Sequence, residues 1–134
     1  MKWILDTNIC IALIKQQPAK ILRKLSAHAV GDVGISSITL AELEFGVAKS
    51  MQQEKNSIAL EEFIIQLEVA QFDAAAAQRY GLVRASLEQR GMPIGSLDTL
   101  IAGHALSLDA VLVTNNIKEF RRVTGLKLED WLTA

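Results

Sequence analysis

The sequence predicts an α/β protein, a three-layer α/β/α sandwich around a short parallel sheet. Short apolar runs alternate along the chain with longer segments of helical periodicity, which is typical of a parallel sheet covered by helices on both faces. The 134 residues suffice for one domain with a core of its own. Half of the residues are hydrophobic (50%) and 22% are charged, as in ordinary folded proteins. We therefore expect a single domain over residues 1–134.

The first predicted element is a short buried strand. The apolar run Trp3–Leu5 stops at Asp6, and a segment that is apolar on nearly all sides follows as a buried helix. Thr7 and Asn8 are the candidate caps of that helix. Pro18 is expected to open a second helix, because proline suits the first turn. Asp6 therefore lies where a strand passes into a helix.

The rest of the chain continues the alternation. Capping residues, helical spacing of apolar side chains and short β-branched runs define each element. In order, we predict a turn and strand over 31–37, a helix from Thr39 to about Ser50, an amphipathic helix over 60–67, a strand over 69–72, a long helix from Asp73 to about Gly91, a helix capped by Ser96, a strand over 111–114, a short helix over 118–122 and an edge strand over 126–128.

The composition also excludes several classes of protein. No apolar run approaches the roughly 18 residues of a membrane span, and the N-terminus lacks the plan of a secretion signal. The single cysteine, Cys10, cannot form an intramolecular disulfide, so we expect a packing role and a cytoplasmic location. The net charge of −1 gives no global sign of a nucleic-acid partner, which would have to bind through local basic clusters.

Three acids from distant segments follow strands or open helices. Asp6 comes directly after the first strand, Glu42 lies in the first turn of the helix that begins near Thr39, and Asp98 lies in the first turn after Ser96. Each has an ordinary structural explanation. Asp6 suits an Asx turn, Glu42 suits a capping box, and Asp98 suits the dipole of its helix.

Taken together, these acids predict a metal site. The carboxyl ends of parallel strands meet at one edge of a sheet, where carboxylates repel one another unless a hard cation such as Mg²⁺ or Mn²⁺ shares them. Oxygen ligands with open water positions favour phosphoryl chemistry, in which the metal activates the nucleophile and neutralises charge. Glu44 is an alternative to Glu42 on the same helix. We prefer Glu42 because it lies nearer the end of the preceding strand.

The two histidines and the cysteine are poor candidates for catalysis. On the same helix, His104 points roughly 120° away from Asp98 at about 100° per residue. His28 lies among alanines near a helix end and is expected to be a surface or packing residue. Cys10 has no basic neighbour in sequence that would lower the pKa of its thiol. Chemistry by the acids is therefore preferred.

Four segments of the chain match motifs of a known family. They are Leu5–Asn8, Ser36–Leu43, Gly95–Ala105 and Val113–Asn116. In this order and spacing the chain resembles the PIN-domain ribonucleases of the VapC toxin type over essentially its whole length. The resemblance implies a compact α/β/α sandwich and cleavage of RNA, often tRNA, that depends on Mg²⁺ or Mn²⁺. It also implies a homodimer that a cognate antitoxin, encoded alongside, holds inactive.

The resemblance further implies the site residues. By motif, Asp6, Glu42 and Asp98 fall on the catalytic acids of the family, and we expect Asp6 and Asp98 to bind the metal. Many PIN domains have a fourth acid where this chain has Asn116. The neutral amide of Asn116 is expected to hold a bound water, with one metal position rather than two. Glu119, one turn further on, is the candidate for the missing charge.

Three alternatives stand beside a ribonuclease. A phospho-receiver domain would need a second acid next to Asp6, where Thr7 stands, and a lysine after the late strand, where asparagines stand. A haloacid-dehalogenase-type phosphatase would need an acid in place of Asn8. A catalytically weak PIN-like binding module, which acts through its antitoxin complex, stays open because Asn116 carries no charge.

Overall fold

The computed structural model describes residues 1–29 and 31–132, and it contains five parallel strands in one sheet. In chain order the elements are β1 (Trp3–Leu5), α1 (Thr7–Lys15), α2 (Ala19–Ser26), β2 (Val33–Ser36), α3 (Ser37–Ala48), α4 (Gln53–Ile64), β3 (Glu68–Ala70), α5 (Ala74–Gln89), α6 (Ser96–Ser107), β4 (Val111–Val113), α7 (Ile117–Phe120) and β5 (Leu128–Glu129). The strand order is β3-β2-β1-β4-β5, and every neighbouring pair is parallel. The predicted α/β/α sandwich is confirmed. Within the described ranges, no helix has both the length and the apolar character needed to cross a membrane.

Alternate residues of the central strands build two separate cores, one on each face of the sheet. Leu5 and Val113 pack on one face against apolar side chains of α1, α2, α3 and α4. Ile4 and Leu112 pack on the other face against α5, α6 and α7. All four side chains are completely buried, as expected for strands covered on both faces. Within the described sheet, both faces of these strands are therefore apolar, and polar side chains are expected at the strand ends.

The carboxyl edge of the sheet collects the polar residues that end its central strands. Asp6 follows β1, Ser36 ends β2, and Thr114 follows β4. All three are buried. Because β1 lies between β2 and β4, Asp6 stands at the middle of this edge, where open parallel sheets place their ligands.

Several helix starts differ from the prediction. The helix predicted over 60–67 is α4, which begins at Gln53 and ends at Ile64, and α1 is capped by Asp6 rather than by Thr7 or Asn8. Ser36 caps α3 by accepting a hydrogen bond from Ile38 N at 3.0 Å, so the helix begins before Thr39. The capping box predicted for Thr39 and Glu42 is therefore wrong, and Glu42 lies in the second turn. At α6 the cap position is held by Gly95 rather than by Ser96, which is the first helical residue.

Helices α5 and α6 approach each other very closely at Gly103. A Cβ atom added there would lie 2.7 Å from both the Cα and the backbone N of Tyr80. Both of these are backbone atoms of α5, so they cannot turn away as the end of a side chain could. The glycine thus lets α6, the helix that carries Asp98, pack directly on α5.

We expect Gly103→Ala to destabilise the fold by about 2 kcal/mol, because the two helices must separate to admit a methyl group. Gly81→Ala, on α5, is the matched control, since a Cβ there meets no described atom within 4 Å. Alanine is favoured over glycine within a helix by about 0.8 kcal/mol. Urea unfolding should therefore shift the two midpoints in opposite directions. Equal stability of the two variants would contradict the close packing.

Candidate active site

Asp6 is the buried acid at the centre of the carboxyl edge. It caps α1, since its Oδ1 accepts a hydrogen bond from Ile9 N at 2.9 Å. Its Oδ2 accepts a hydrogen bond from the hydroxyl of Thr114, which follows the neighbouring strand. Burial raises the pKa of the Asp6 carboxyl and the charge of Glu42 adds to this, whereas the hydrogen bonds act against it. Asp6 therefore holds the backbone at the start of α1, as the sequence suggested, and it also lies near the charge of Glu42.

Glu42 reaches the same edge from α3. Its Oε1 accepts a hydrogen bond from the hydroxyl of Thr7 at 2.8 Å, and that hydroxyl also lies 3.3 Å from Thr39 Oγ1. Thr7 is the first residue of α1 and follows Asp6 directly. The contact therefore joins the helix after β1 to the helix after β2. Glu44, the alternative on α3, is exposed.

Asp98 completes the acid cluster from the first turn of α6. Its pKa is raised from 3.8 to about 6. Burial is the main cause, followed by the negative charges of Glu119, Asp6 and Glu42. The charges of Asp6 and Glu42 therefore both act on Asp98, and the charge of Glu42 also acts on Asp6.

The raised pKa of Asp98 makes the stability of the metal-free protein depend on pH. Between pH values of about 4 and 6, the folded chain binds more protons than the unfolded chain, so stability falls as the pH rises. We expect a loss of about 1 kcal/mol across this window, because solvent screens the partly exposed carboxyl. Asp6 adds to the loss in the same direction. Thermal unfolding in EDTA at several pH values measures it.

Two variants test the origin of this pH dependence. Asp98→Asn should flatten the fall in stability, because the group that binds the extra proton is gone. Asp109→Asn should leave it unchanged, since Asp109 is 87% exposed and pairs with Lys127 at 3.0 Å, away from the acid cluster. The same slope in all three proteins would contradict the assignment to Asp98.

Asn116 follows β4 at the same edge of the sheet, and its amide already contacts another side chain. Its Nδ2 donates a hydrogen bond to Glu119 Oε2 at 2.7 Å, and Glu119 Oε1 accepts one from Gly95 N at 3.1 Å. These two contacts lower the pKa of Glu119, so its carboxyl stays ionised near neutral pH. Because Gly95 precedes α6, the contacts bring the charge of Glu119 close to Asp98. Asn116 thus contacts a fourth acid that comes from α7.

Thr7 donates to Glu42 and Thr114 donates to Asp6. Sequence reasoning missed both contacts. The sequence suggested Thr7 only as a helix cap and Thr114 only as the end of a strand. A signal was present, because Leu5–Asn8 and Val113–Asn116 share one plan in which an apolar strand runs into threonine and asparagine. The shared plan reflects two neighbouring strands that end at the same edge of the sheet.

A groove of about 780 Å³ contains the acids Asp6, Glu42 and Asp98 and is bordered mainly by α1, α3 and α4. Its apolar lining consists of Ile11, Ile14, Ile38, Leu43, Phe45, Val47, Leu60 and Leu97. Lys15 and Lys49 also line it. The groove therefore combines an acidic site with a long apolar wall and two positive charges.

The donor set at this edge fits a hard divalent cation. Asp6 and Asp98 offer carboxylate oxygens, and burial, with the charges of neighbouring acids, raises the pKa of both. Over residues 1–29 and 31–132, no group of three or more His, Cys, Asp or Glu side chains is already placed to hold a metal ion. Mg²⁺ usually keeps several waters and takes only one or two carboxylates. Two carboxylates completed by waters are therefore what this arrangement can offer.

Sequence comparisons place the chain among proteins of one family. The family model of the PIN domain matches residues 3–126. The tRNA(fMet)-specific endonuclease VapC of Shigella flexneri is 46% identical over 131 residues, which cover 98% of each chain. Ribonuclease VapC2 of Rickettsia felis is 46% identical over 132 residues, again with 98% of each chain covered.

Two solved structures superpose closely on this chain. VapBC2 from Rickettsia felis, bound to a DNA fragment from its promoter, gives a TM-score of 0.93 at 45% identity and covers 98% of this chain and 99% of that chain. DNA-bound VapBC from Salmonella typhimurium gives a TM-score of 0.95 at 45% identity, with 98% of both chains covered. With the match to the family model, these similarities show that the chain belongs to the PIN-domain family and, within it, to the VapC type.

Proposed function

We propose that this chain is a metal-dependent endoribonuclease, the toxin of a toxin–antitoxin pair, which hydrolyses phosphodiester bonds in RNA. The observation that carries the proposal is that Asp6, Glu42 and Asp98 line one groove. Burial there, with the negative charges of Glu119, Asp6 and Glu42, raises the pKa of Asp98 to about 6. Crowded carboxylates of this kind favour a proton or a cation between them. The names of relatives that are 46% identical over almost the whole chain, an endonuclease and a ribonuclease, support the same activity.

Each acid has its own role in this proposal. Asp6 and Asp98 bind the cation through oxygen atoms, and Thr114 orients the Asp6 carboxylate by donating to Oδ2. Glu42 orients the attacking water, and the Thr7 hydroxyl holds its carboxylate in place at 2.8 Å. A bound Mg²⁺ or Mn²⁺ would supply a water of lowered pKa and neutralise charge on the phosphate.

Asn116 has an indirect role in the proposal. The sequence suggested that its amide holds a bound water, but its contact with Glu119 favours a part in placing that carboxylate near Asp98. The three ionised acids that line the groove and one divalent cation together leave a net charge of about −1. We therefore propose one well-occupied metal position, with the charge of Glu119 at its rim.

We propose tRNA as the substrate class, with cleavage in the cytoplasm. The relative from Shigella flexneri is named for tRNA(fMet), and the present chain is 46% identical to it. Lys15 and Lys49 line the groove that holds the acids and offer contacts to phosphate groups. Such local positive charge is needed because the net charge of the chain is −1.

The test is cleavage of purified tRNA(fMet) and of total tRNA by the pure, metal-free protein. We expect discrete fragments when Mg²⁺ or Mn²⁺ is added, loss of cleavage in EDTA, and recovery when metal is restored in excess. A synthetic RNA of the same length without tRNA structure is the control for substrate class. Cleavage that persists in EDTA would contradict the role of the metal.

We also propose that the groove binds a helix of the cognate antitoxin. The solved relatives from Rickettsia felis and Salmonella typhimurium are VapBC complexes. Phe45 is 64% exposed and Ile11 38% exposed along the groove, an apolar surface that suits one face of an amphipathic helix. A basic side chain of such a helix would reach the acids.

The homodimer implied by the family is proposed as well, and sedimentation of the free chain tests it.

The second candidate function is a catalytically weak PIN-like module that acts through its antitoxin complex. The observation that favours it is that no three-acid metal group is already formed within the described ranges. In that case the pure protein would cleave no RNA at any metal concentration, yet it would still bind the antitoxin. The EDTA experiment above distinguishes the two functions.

A further inference from the structure

A buried histidine outside the acid cluster joins the two helices that carry Glu42 and Asp98. His104 lies on α6, is 1% exposed, and places its Nδ1 2.8 Å from Ser36 Oγ. Ser36 is also completely buried, ends β2, and caps α3 by accepting a hydrogen bond from Ile38 N. We call the contact between Ser36 Oγ and His104 Nδ1 the Ser36–His104 link.

The histidine carries a cost that an apolar residue would avoid. Its Nε2 is buried and makes no hydrogen bond of normal geometry in the part of the chain that the structure describes, although the backbone of Gln71 lies near enough to act on the ring. A buried polar atom without a full hydrogen bond lowers stability. Phe72 packs edge-on against the ring, with 5.4 Å between ring centroids, so a hydrophobic side chain would suit this site. What the imidazole adds is a directional contact with Ser36.

The neutral form of the ring suits this contact. Burial lowers the pKa of His104, although the charge of Asp73 and the backbone of Gln71 act in the opposite sense. A neutral ring can accept a hydrogen bond from the Ser36 hydroxyl at Nδ1. The Ser36 oxygen then still accepts from Ile38 N, so its hydroxyl group donates and accepts at once.

The Ser36–His104 link is equally distant, along each of the two helices, from the acid that the helix carries. Glu42 stands six residues after Ser36, and Asp98 stands six residues before His104, a rise of about 9 Å along a helix. A tilt of α6 by about 5° at the link would move Asp98 by roughly 0.8 Å over that length. A misplacement of about 1 Å in an active site can lower the rate by about a hundredfold.

We propose that Ser36 and His104 are positioning residues, whose hydrogen bond sets the spacing of Glu42 and Asp98 across the site. The inference rests on the proposed ribonuclease function. Neither residue contacts substrate in this proposal, and both act through the helices that they join. Gly103 lets α6 pack on α5, while the link ties the same helix to β2 and α3.

Two variants of His104 separate the hydrogen bond from packing. Leucine and asparagine have similar shapes and leave similar cavities, but only His104→Asn keeps a polar atom at the position of Nδ1. Ser36→Ala removes the other half of the link. Ser37→Ala is its matched control, because the Ser37 hydroxyl accepts a hydrogen bond from Phe72 N at 3.0 Å, in the β3–α5 connection rather than in α6.

With saturating Mg²⁺ or Mn²⁺, His104→Leu and Ser36→Ala should each lower kcat about tenfold and change KM less than about twofold. The double variant should be no slower than Ser36→Ala alone, because that change already breaks the bond that His104→Leu removes, together with the cap on Ile38 N. His104→Asn and Ser37→Ala should keep kcat within about threefold of the native value, even where the Tm falls. Equal kcat values for His104→Leu and His104→Asn, or losses that multiply in the double variant, would overturn the proposal.

A second measurement tests the link without catalysis. In metal-free NMR spectra, His104→Leu should shift the backbone amide resonances of Thr39 and Glu42 on α3, whereas His104→Asn should shift them little. Unmoved α3 resonances in His104→Leu would overturn the proposal. If the resonances move while the native protein cleaves no RNA, the link is supported and the proposed ribonuclease function is overturned.

Discussion

Asp6→Asn is expected to lower RNA cleavage at least about a hundredfold while the fold is retained. Asparagine keeps the shape of the side chain, and its amide oxygen can still accept the hydrogen bond from Ile9 N that caps α1. The negative charge that would bind the cation is lost. Cleavage of tRNA by the variant and by the native chain, at equal protein and metal concentrations, measures the effect.

The same variant should unfold at a higher temperature than the native chain in EDTA. Burial raises the pKa of the Asp6 carboxyl, which means that near neutral pH the folded chain holds the charged form at a cost in stability. A neutral amide removes that cost. Adding Mg²⁺ should then stabilise the native protein more than Asp6→Asn, because only the native site retains both proposed ligands. Differential scanning calorimetry measures both shifts.

Asp73→Asn is the matched control for this pair of effects. Asp73 caps α5 just as Asp6 caps α1, since its Oδ1 accepts a hydrogen bond from Ala76 N at 3.0 Å. It is exposed, however, and lies outside the lining of the groove. Cleavage by Asp73→Asn should stay within about twofold of the native rate. Full activity of Asp6→Asn would contradict the site, and an equal loss in both variants would assign the effect to helix capping.

The fold and the three acids were predictable because both depend on short-range pattern and on topology. Alternating strands and helices lead to a parallel sheet, and a parallel sheet brings its strand ends to one edge. Asp6 and Glu42 follow such ends, and Asp98 opens the helix that runs back to the start of β4, so their approach needs no knowledge of side-chain direction. The structure brings these three residues to one groove. Their roles as metal ligands and in catalysis stay predictions.

The contacts between side chains could not be predicted in the same way. Thr39 and Glu42 satisfy the local pattern of a capping box, but Ser36 is just as good a cap, and the end of β2 decides between them. The partner that Glu42 has instead, Thr7, is 35 residues away in the chain. The contact between Asn116 and Glu119 is local, yet either residue alone would suit a bound water or metal. Tertiary packing selects one partner for each.

Gly46→Leu should weaken binding of the antitoxin at least about a hundredfold, which is about 2.7 kcal/mol. Gly46 lies on α3 in the lining of the groove, and a Cβ atom there meets no described atom within 4 Å. The variant should therefore fold without strain, and its leucine side chain should occupy space that the partner helix needs. Gly81→Leu is the control, because it places the same side chain at an open position on α5, outside the lining. Calorimetric titration with the antitoxin encoded alongside measures both.

Shortening a side chain on the same apolar wall is the complementary test, because it removes contact area instead of blocking the groove. Phe45 on α3 is 64% exposed and lines the groove, whereas Leu82 on α5 is 63% exposed and does not. Because an aromatic side chain in an apolar groove is a common binding hot spot, Phe45→Ala should cost about 2 kcal/mol of affinity. Leu82→Ala removes a side chain of similar exposure and should leave the affinity unchanged. Equal affinities for Gly46→Leu and Gly81→Leu, together with no loss in Phe45→Ala, would mean that the antitoxin binds another surface and that the apolar wall serves the RNA.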